Sequence, residues 1–142
     1  MAARAESRQF AADLKALPDA VAFAGAASRE AGCDGVVRLF VELIIEELFT
    51  NTVMHGYGGT SDQPVWIAVA DDDGKLSLTY EDAAPPCNPL ELPAPGLEVP
   101  VEQRAVGGLG MPLVKALTES ASYARHEGRN RLTLVISPHA RR

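Results

Sequence analysis

Two segments of the chain alternate apolar and polar residues around a glycine-containing turn, and they limit the fold more than any other feature. In PVWIAVADDDGKLSLTYED, the residues Val65, Ile67 and Val69 alternate with others before the turn, and the same pattern resumes after it. SASYARHEGRNRLTLVIS repeats this arrangement near the end of the chain, with a turn at EGRN. Period-two alternation on both sides of such a turn is typical of β-hairpins that bury one face. The sequence therefore predicts a mainly antiparallel sheet.

Two helices and a short strand precede these hairpins. Pro18 suits the first turn of a helix that ends near Gly32, and Asp34 is suited to cap a second helix over Val36–His55. A strand is expected around Arg8–Ala11. We predict an α+β fold, a two-layer sandwich with helices on one face of a mainly antiparallel sheet. A chain of 142 residues suits one domain that spans its whole length.

Polar residues interrupt the apolar face of the second helix. On a helical wheel centred on Phe40, Glu47, Asn51 and His55 fall inside the apolar stripe, whereas Glu46 points to solvent. The apolar members of that stripe are Val36, Val37, Leu43, Ile44 and Leu48. Burying an unpartnered polar group costs a few kcal/mol. Glu47 and Asn51 therefore either face a polar cavity or bond to nearby loops, and His55 is better explained as a C-terminal cap.

Three apolar residues occupy the opposite side of the same helix. Ile45, Phe49 and Val53 lie among polar positions on the wheel. We expect them to be exposed and to form a contact surface, which makes a homodimer possible.

Two further segments have the composition of a ligand site. GGLGMP places three glycines before a helix and is either a phosphate cradle, formed by free N–H groups and the helix dipole, or an ordinary glycine-rich turn. Asp82 ends the second strand of the first hairpin, where its carboxylate either accepts from a ligand's amino group or caps the turn. Residues 85–106 have no periodic pattern, and a loop of that length is predicted to be a lid.

Taken in order, these segments resemble the boxes of the GHKL ATPase superfamily. EELFTNTVMHGY is similar to its N box, EDAAPPCNPL to its first glycine box and GGLGMPLV to its second. HGY and GGLGMPLV most resemble the anti-sigma regulatory, RsbW-like branch. The resemblance implies a Bergerat-type ATP-binding fold with ATP and Mg²⁺ as cofactors.

The resemblance also implies roles for individual residues. Glu47 would be the general base, Asn51 the Mg²⁺ ligand, and Asp82 the acceptor for the exocyclic amine of adenine. Thr133 would place a hydroxyl near the adenine, and Arg104 would contact the terminal phosphate. The glycines that would let the lid close are Gly107 as a hinge, Gly108 and Gly110.

One departure from the family pattern concerns the first glycine box. That box usually has the form Asp-x-Gly, whereas this chain has Ala84 in the third position. If the position requires a positive φ, alanine there costs about 1 kcal/mol or displaces the loop.

The resemblance implies a Mg-ATP-dependent protein serine/threonine kinase. Its partner would be a STAS-domain anti-sigma-factor antagonist or a sigma factor. The alternative is a nucleotide-sensing module that sequesters a partner without phosphoryl transfer.

The charge and the cysteines limit the partners and the compartment. A net charge of −6 argues against nucleic acid as a binding partner. No apolar segment predicts a membrane span, and the separated cysteines Cys33 and Cys87 fit a reducing compartment, so we expect a cytoplasmic protein.

Overall fold

The computed structural model describes residues 4–91, 114–115 and 118–139. Its strands are β1 (Arg4–Ala11), β2 (Pro64–Asp72), β3 (Lys75–Asp82), β4 (Ser120–His126) and β5 (Arg129–Ile136), and its helices are α1 (Leu17–Glu30) and α2 (Gly35–Asn51). Within these ranges the strands form one antiparallel sheet in the order β1-β2-β3-β5-β4. The α+β prediction, with helices packed on an antiparallel sheet, is confirmed. None of the helices in the described ranges is long and apolar enough to cross a bilayer.

Both predicted hairpins are present and close through two-residue turns. Asp73 and Gly74 join β2 to β3 with φ values of 52° and 79°, and Glu127 and Gly128 join β4 to β5 with 49° and 79°. Positive φ at both central residues matches the right-handed twist of the paired strands. These turns fix the register of each hairpin, and with it the face to which each side chain points.

One face of the sheet forms the core, and its polar residues lie at one end. The apolar residues of this face are Val65, Ile67 and Val69 on β2, Leu76, Leu78 and Tyr80 on β3, and Leu132, Leu134 and Ile136 on β5. Asp82 and Asn130 continue the same alternation, are directly opposite in the β3–β5 pairing, and are both buried. The core register thus brings two polar side chains to the same end of the helix-covered face.

Helix α2 buries a different arc from the one we predicted. Ile45 and Phe49 are fully buried, as is Val53 just beyond the helix, whereas Leu39 and Leu43 are about half exposed. The buried arc is rotated by about a quarter turn from the predicted stripe. The expectation of an exposed contact surface at Ile45, Phe49 and Val53 was therefore wrong, and these residues give no support to a homodimer.

The buried arc of α2 differs from the predicted one because α1 packs against α2. The α1 sequence LPDAVAFAGAASRE is rich in small residues, so the two helices approach closely. At Gly25, an added Cβ would lie 2.5 Å from Oε1 of Glu42. Because α1 covers one side of α2 and the sheet covers another, α2 is buried over a wider arc than a helix with one neighbour.

The end of α2 also differs from the sequence prediction. Asp34 caps the helix as expected, accepting from the Val37 N–H at 2.9 Å. The predicted continuation to His55 is instead a π-helical turn over Thr52–Gly56, in which Tyr57 N–H donates to the Thr52 carbonyl at 2.8 Å. This turn buries Thr52, while His55 is exposed and does not lie on the inward face.

Candidate functional site

Helix α2 presents a carboxylate and a carboxamide one turn apart at its C-terminal end. Glu47 is 9% exposed, and Asn51 is half-buried. The Asn51 amide nitrogen donates to Oε1 of Glu47 at 3.3 Å. Burial raises the pKa of Glu47 above its ordinary value; the Asn51 hydrogen bond opposes this rise and the charge of Glu46 adds to it. Glu47 is thus a buried carboxylate with an increased affinity for a proton.

The orientation of Asn51 determines which atom is available to a cation. Its nitrogen faces Glu47, so its side-chain oxygen is the atom left to bind a metal. No cluster of three or more His, Cys, Asp and Glu residues that could hold a metal occurs in the described ranges. Mg²⁺ in nucleotide sites is usually held by one or two protein oxygens together with phosphates and water. The Asn51 oxygen fits such a site.

Asp82 is the second buried carboxylate, at the end of β3, and it is 8% exposed. Its Oδ2 accepts from the Thr52 hydroxyl at 2.8 Å. Its Oδ1 accepts from the Asn130 amide nitrogen at 2.9 Å and from Ala84 N–H at 3.2 Å. A carboxylate has about four acceptor positions. Among the described residues, these donors fill both positions on Oδ1 and one on Oδ2, so one position on Oδ2 is left for a ligand donor.

A second hydroxyl orients Thr52 toward Asp82. The Tyr80 hydroxyl lies 2.7 Å from the Thr52 hydroxyl and 3.1 Å from the Leu48 carbonyl. Because Thr52 gives its one proton to Asp82, its oxygen accepts from Tyr80, whose single proton is shared between Thr52 and the Leu48 carbonyl. Burial, the largest cause, raises the pKa of Tyr80 well above its ordinary value, so the phenol remains a donor. Tyr80 and Thr52 thus form a chain of donors that ends at Asp82 and connects it to the helix end carrying Asn51.

The loop after β3 is held by side chains from elsewhere in the fold. The Ala83 N–H donates to the Tyr57 hydroxyl at 2.7 Å, and the Ala84 carbonyl accepts from Arg125 at 2.7 Å. Ala84 is buried, and its methyl group would lie 3.1 Å from a Cβ placed on Gly56. In the described ranges the only non-glycine residues with positive φ are Asp73 and Glu127. The condition for strain at Ala84 is therefore not met.

The structure brings together part of the site expected from the sequence. Glu47 contacts Asn51, and Asn51 is adjacent in the chain to Thr52, which bonds Asp82. Thr133 does not join this group: it pairs with Thr79 and alternates with the buried Leu132 and Leu134, so it lies on the sheet face away from the helices. Arg104, Gly107, Gly108 and Gly110 lie outside the described residues. So does most of the predicted lid; its first part, to residue 91, ends in a short 3-10 turn, Pro89–Glu91.

Sequence reasoning missed several residues that organise the site, chiefly Thr52, Tyr80 and Asn130. The sequence contained a signal for Asn130, because it shares the inward register of β5 with Leu132 and Leu134. A polar residue in an apolar register is a candidate for a buried hydrogen-bonding role. By the same alternation, the Thr133 side chain is expected on the opposite face of the sheet, away from Asp82.

The match to a known family agrees with this geometry. The family model of the histidine kinase-like ATPase domain matches residues 10–136. The chain belongs to this family. The predicted resemblance to GHKL-type ATPases is thereby confirmed, and membership implies that the domain binds ATP. No curated protein matches the chain.

Proposed function

We propose that this histidine kinase-like ATPase domain is a Mg-ATP-dependent protein serine/threonine kinase of the anti-sigma regulatory branch. Its substrate would be a serine hydroxyl on a STAS-domain antagonist in the cytoplasm. The observation that carries the proposal is the buried Glu47 carboxylate, one helical turn from the Asn51 carboxamide, on a helix end that Thr52 joins to Asp82. The two α2 side chains supply a proton acceptor and a metal ligand, and Asp82 supplies a base-recognition group.

Glu47 would act as the general base. As the serine oxygen forms a bond to the terminal phosphorus, its proton passes to the Glu47 carboxylate, and the bond to the bridging oxygen of ADP breaks. The raised pKa of Glu47 brings it closer to the working pH, which suits proton transfer. Mg²⁺ held by Asn51 and the phosphates would neutralise charge on the transferring group.

Asp82 would select adenine. The exocyclic amine of adenine is a donor and would take the remaining acceptor position on Oδ2 of Asp82. Guanine presents a carbonyl oxygen at the corresponding ring position, and this oxygen would face a carboxylate with no proton to offer. With guanine bound, the buried Asp82 carboxylate would lack a donor, and this loss would discriminate strongly between the two bases.

The test is phosphorylation of a STAS-domain protein by ATP labelled in its terminal phosphate. The wild type is expected to label the serine, whereas Glu47→Gln is expected to slow transfer by about 10²- to 10⁴-fold. Because glutamine retains the shape and the acceptor for Asn51, Mg-ATP affinity should remain within about threefold of the wild type. Glu46→Gln removes an exposed carboxylate next to it and is the matched control, with transfer close to the wild-type rate.

The same experiment separates the kinase from the binding-only alternative. If the wild type binds Mg-ATP and the STAS protein or a sigma factor, yet labels no serine, the kinase proposal is wrong. The domain is then a nucleotide-sensing module that sequesters its partner.

A further inference from the structure

We propose that Asn130 is a positioning residue for base recognition, which fixes the Asp82 carboxylate and the loop Ala84–Cys87 as a single unit. The inference rests on the proposed function, because it takes Asp82 as the acceptor for the amine of the base.

The Asn130 carboxamide is saturated at both of its ends. Its nitrogen lies 2.9 Å from Oδ1 of Asp82, 3.2 Å from the Ala84 carbonyl and 3.0 Å from the Pro85 carbonyl. Its oxygen accepts from Cys87 N–H at 3.1 Å and from the Tyr123 hydroxyl. Turning the amide over would place its oxygen against three acceptors, so this network allows only one orientation.

The loop needs Asn130 because its own sequence offers few backbone donors. Pro85 and Pro86 have no N–H groups, so this part of the chain cannot form a regular turn ladder. Asn130 supplies the missing bonds on both sides of the prolines. Its oxygen accepts from the Cys87 N–H, which follows them, and its nitrogen donates to the carbonyls of Ala84 and Pro85. Because Asn130 is paired opposite Asp82 in the sheet, the loop is held at a fixed distance from the carboxylate.

The same amide also sets the direction of the free acceptor position on Asp82. Asn130 and Ala84 N–H hold Oδ1, and Thr52 holds one side of Oδ2. With all three donors present, the carboxylate plane cannot turn, and the remaining position on Oδ2 has a defined direction. Without Asn130, Oδ1 of Asp82 loses one of its two donors. The other donor, the Ala84 N–H, belongs to a loop that Asn130 no longer holds. A ligand amine would then meet a carboxylate that is no longer oriented for it.

The experiment compares Mg-ATP with the triphosphate of purine riboside, which is identical except that it lacks the exocyclic amine. Calorimetric titration of the wild type is expected to give at least about tenfold tighter binding of ATP. In Asn130→Ala this ratio should fall below about threefold, through weaker ATP binding and with little change for the analogue. A role confined to general folding would weaken both ligands equally and leave the ratio unchanged.

Two further variants make the result independent of whether Asn130→Ala folds. Tyr123→Phe keeps Asn130 but removes one donor to its oxygen, and it should lower the ATP-to-analogue ratio by about two- to threefold. Arg131→Ala removes the neighbouring β5 side chain on the other face of the sheet, where it lies 3.5 Å from Glu81, and it should leave the ratio at its wild-type value.

The outcomes distinguish failure of this inference from failure of the proposed function. If the wild type binds neither nucleotide, the proposed function itself is wrong. If the wild type prefers ATP and Tyr123→Phe retains the full ratio, Asn130 does not position the base-recognition group. A ratio close to one in the wild type would also overturn the inference, because Asp82 would then not receive the amine.

Discussion

The two ends of the candidate site are built in different ways. At the α2 end, the Glu47 and Asn51 side chains share one hydrogen bond among the described residues, at 3.3 Å. At the β3 end, Asp82 accepts from three donors, and two of these donors, Thr52 and Asn130, have further partners of their own. In the proposed function the β3 end would bind the base and the α2 end the phosphates. The base end is thus organised by the protein alone, whereas the phosphate end would be completed by a cation and phosphates.

This difference has opposite consequences for stability. Buried polar groups that are fully hydrogen-bonded support the fold, and removing one of them leaves its partners without a bond. A buried carboxylate with one weak partner reduces the stability of the fold, and it is retained where chemistry requires it. The base end should therefore contribute to the free energy of unfolding, and the phosphate end should lower it.

Truncating each end in turn gives the largest expected effect. Asp82→Ala leaves the Thr52 hydroxyl and the Ala84 N–H without their acceptor and removes one of the three acceptors of the Asn130 amide, and we expect a loss of about 2–4 kcal/mol in the free energy of unfolding. Asn51→Ala, at a half-buried position with one long hydrogen bond, should cost less than about 1 kcal/mol. Urea denaturation without nucleotide measures both. Equal losses in the two variants would contradict the contrast between the ends.

Much of the fold follows from local rules in the sequence. Period-two alternation and glycine turns predicted both hairpins, and the Asp34 cap predicted the start of α2. The buried arc of α2 was predicted wrongly because it depends on α1, whose small residues allow a close approach that no pattern within α2 reveals.

The site was predictable to a similar extent. The helical wheel singles out Glu47 and Asn51 as polar residues at positions expected to be buried. Asp82 is recognisable because it ends a strand. Thr52 escaped notice because it is buried by a π-helical turn, and a regular helix gives no sign of that turn. The alternation of β5 marks Asn130 as a buried polar residue, but its partner Asp82 is revealed only when β3 and β5 are paired, since these strands are distant in sequence.

Thr52 provides a sharper test of the base end, with an intermediate effect. Thr52→Val preserves the shape of the side chain but removes the donor to Asp82 and one of the two acceptors of the buried Tyr80 hydroxyl. We expect a loss of about 1–3 kcal/mol in the free energy of unfolding, together with weaker ATP binding. Thermal unfolding and calorimetric titration measure the two effects.

Thr50→Val is the matched control, since it makes the same substitution two residues earlier at a half-buried position of α2. It should change the free energy of unfolding by less than about 0.5 kcal/mol. If the two valine variants behave alike, the hydroxyl chain from Tyr80 to Asp82 does not stabilise the base end.

The smallest expected effect is a gain in stability at the phosphate end, and it depends on pH. The pKa of Glu47 is raised in the fold, mainly by burial, above an ordinary value of 4.5, so the folded chain holds this proton more tightly than the unfolded chain does. Stability is then lost as the pH rises from the ordinary pKa through the raised one, and the loss is complete above it. Glu47→Gln removes this penalty and should be more stable than the wild type at pH 7, by less than about 1 kcal/mol. The difference should vanish as the pH falls below the ordinary pKa.

Urea denaturation at a series of pH values would show this convergence, with the exposed Glu46→Gln giving a much smaller gain. A Glu47→Gln variant that is less stable than the wild type at pH 7 would mean that the carboxylate is better satisfied than its single bond to Asn51 indicates, and the two ends of the site would then be alike.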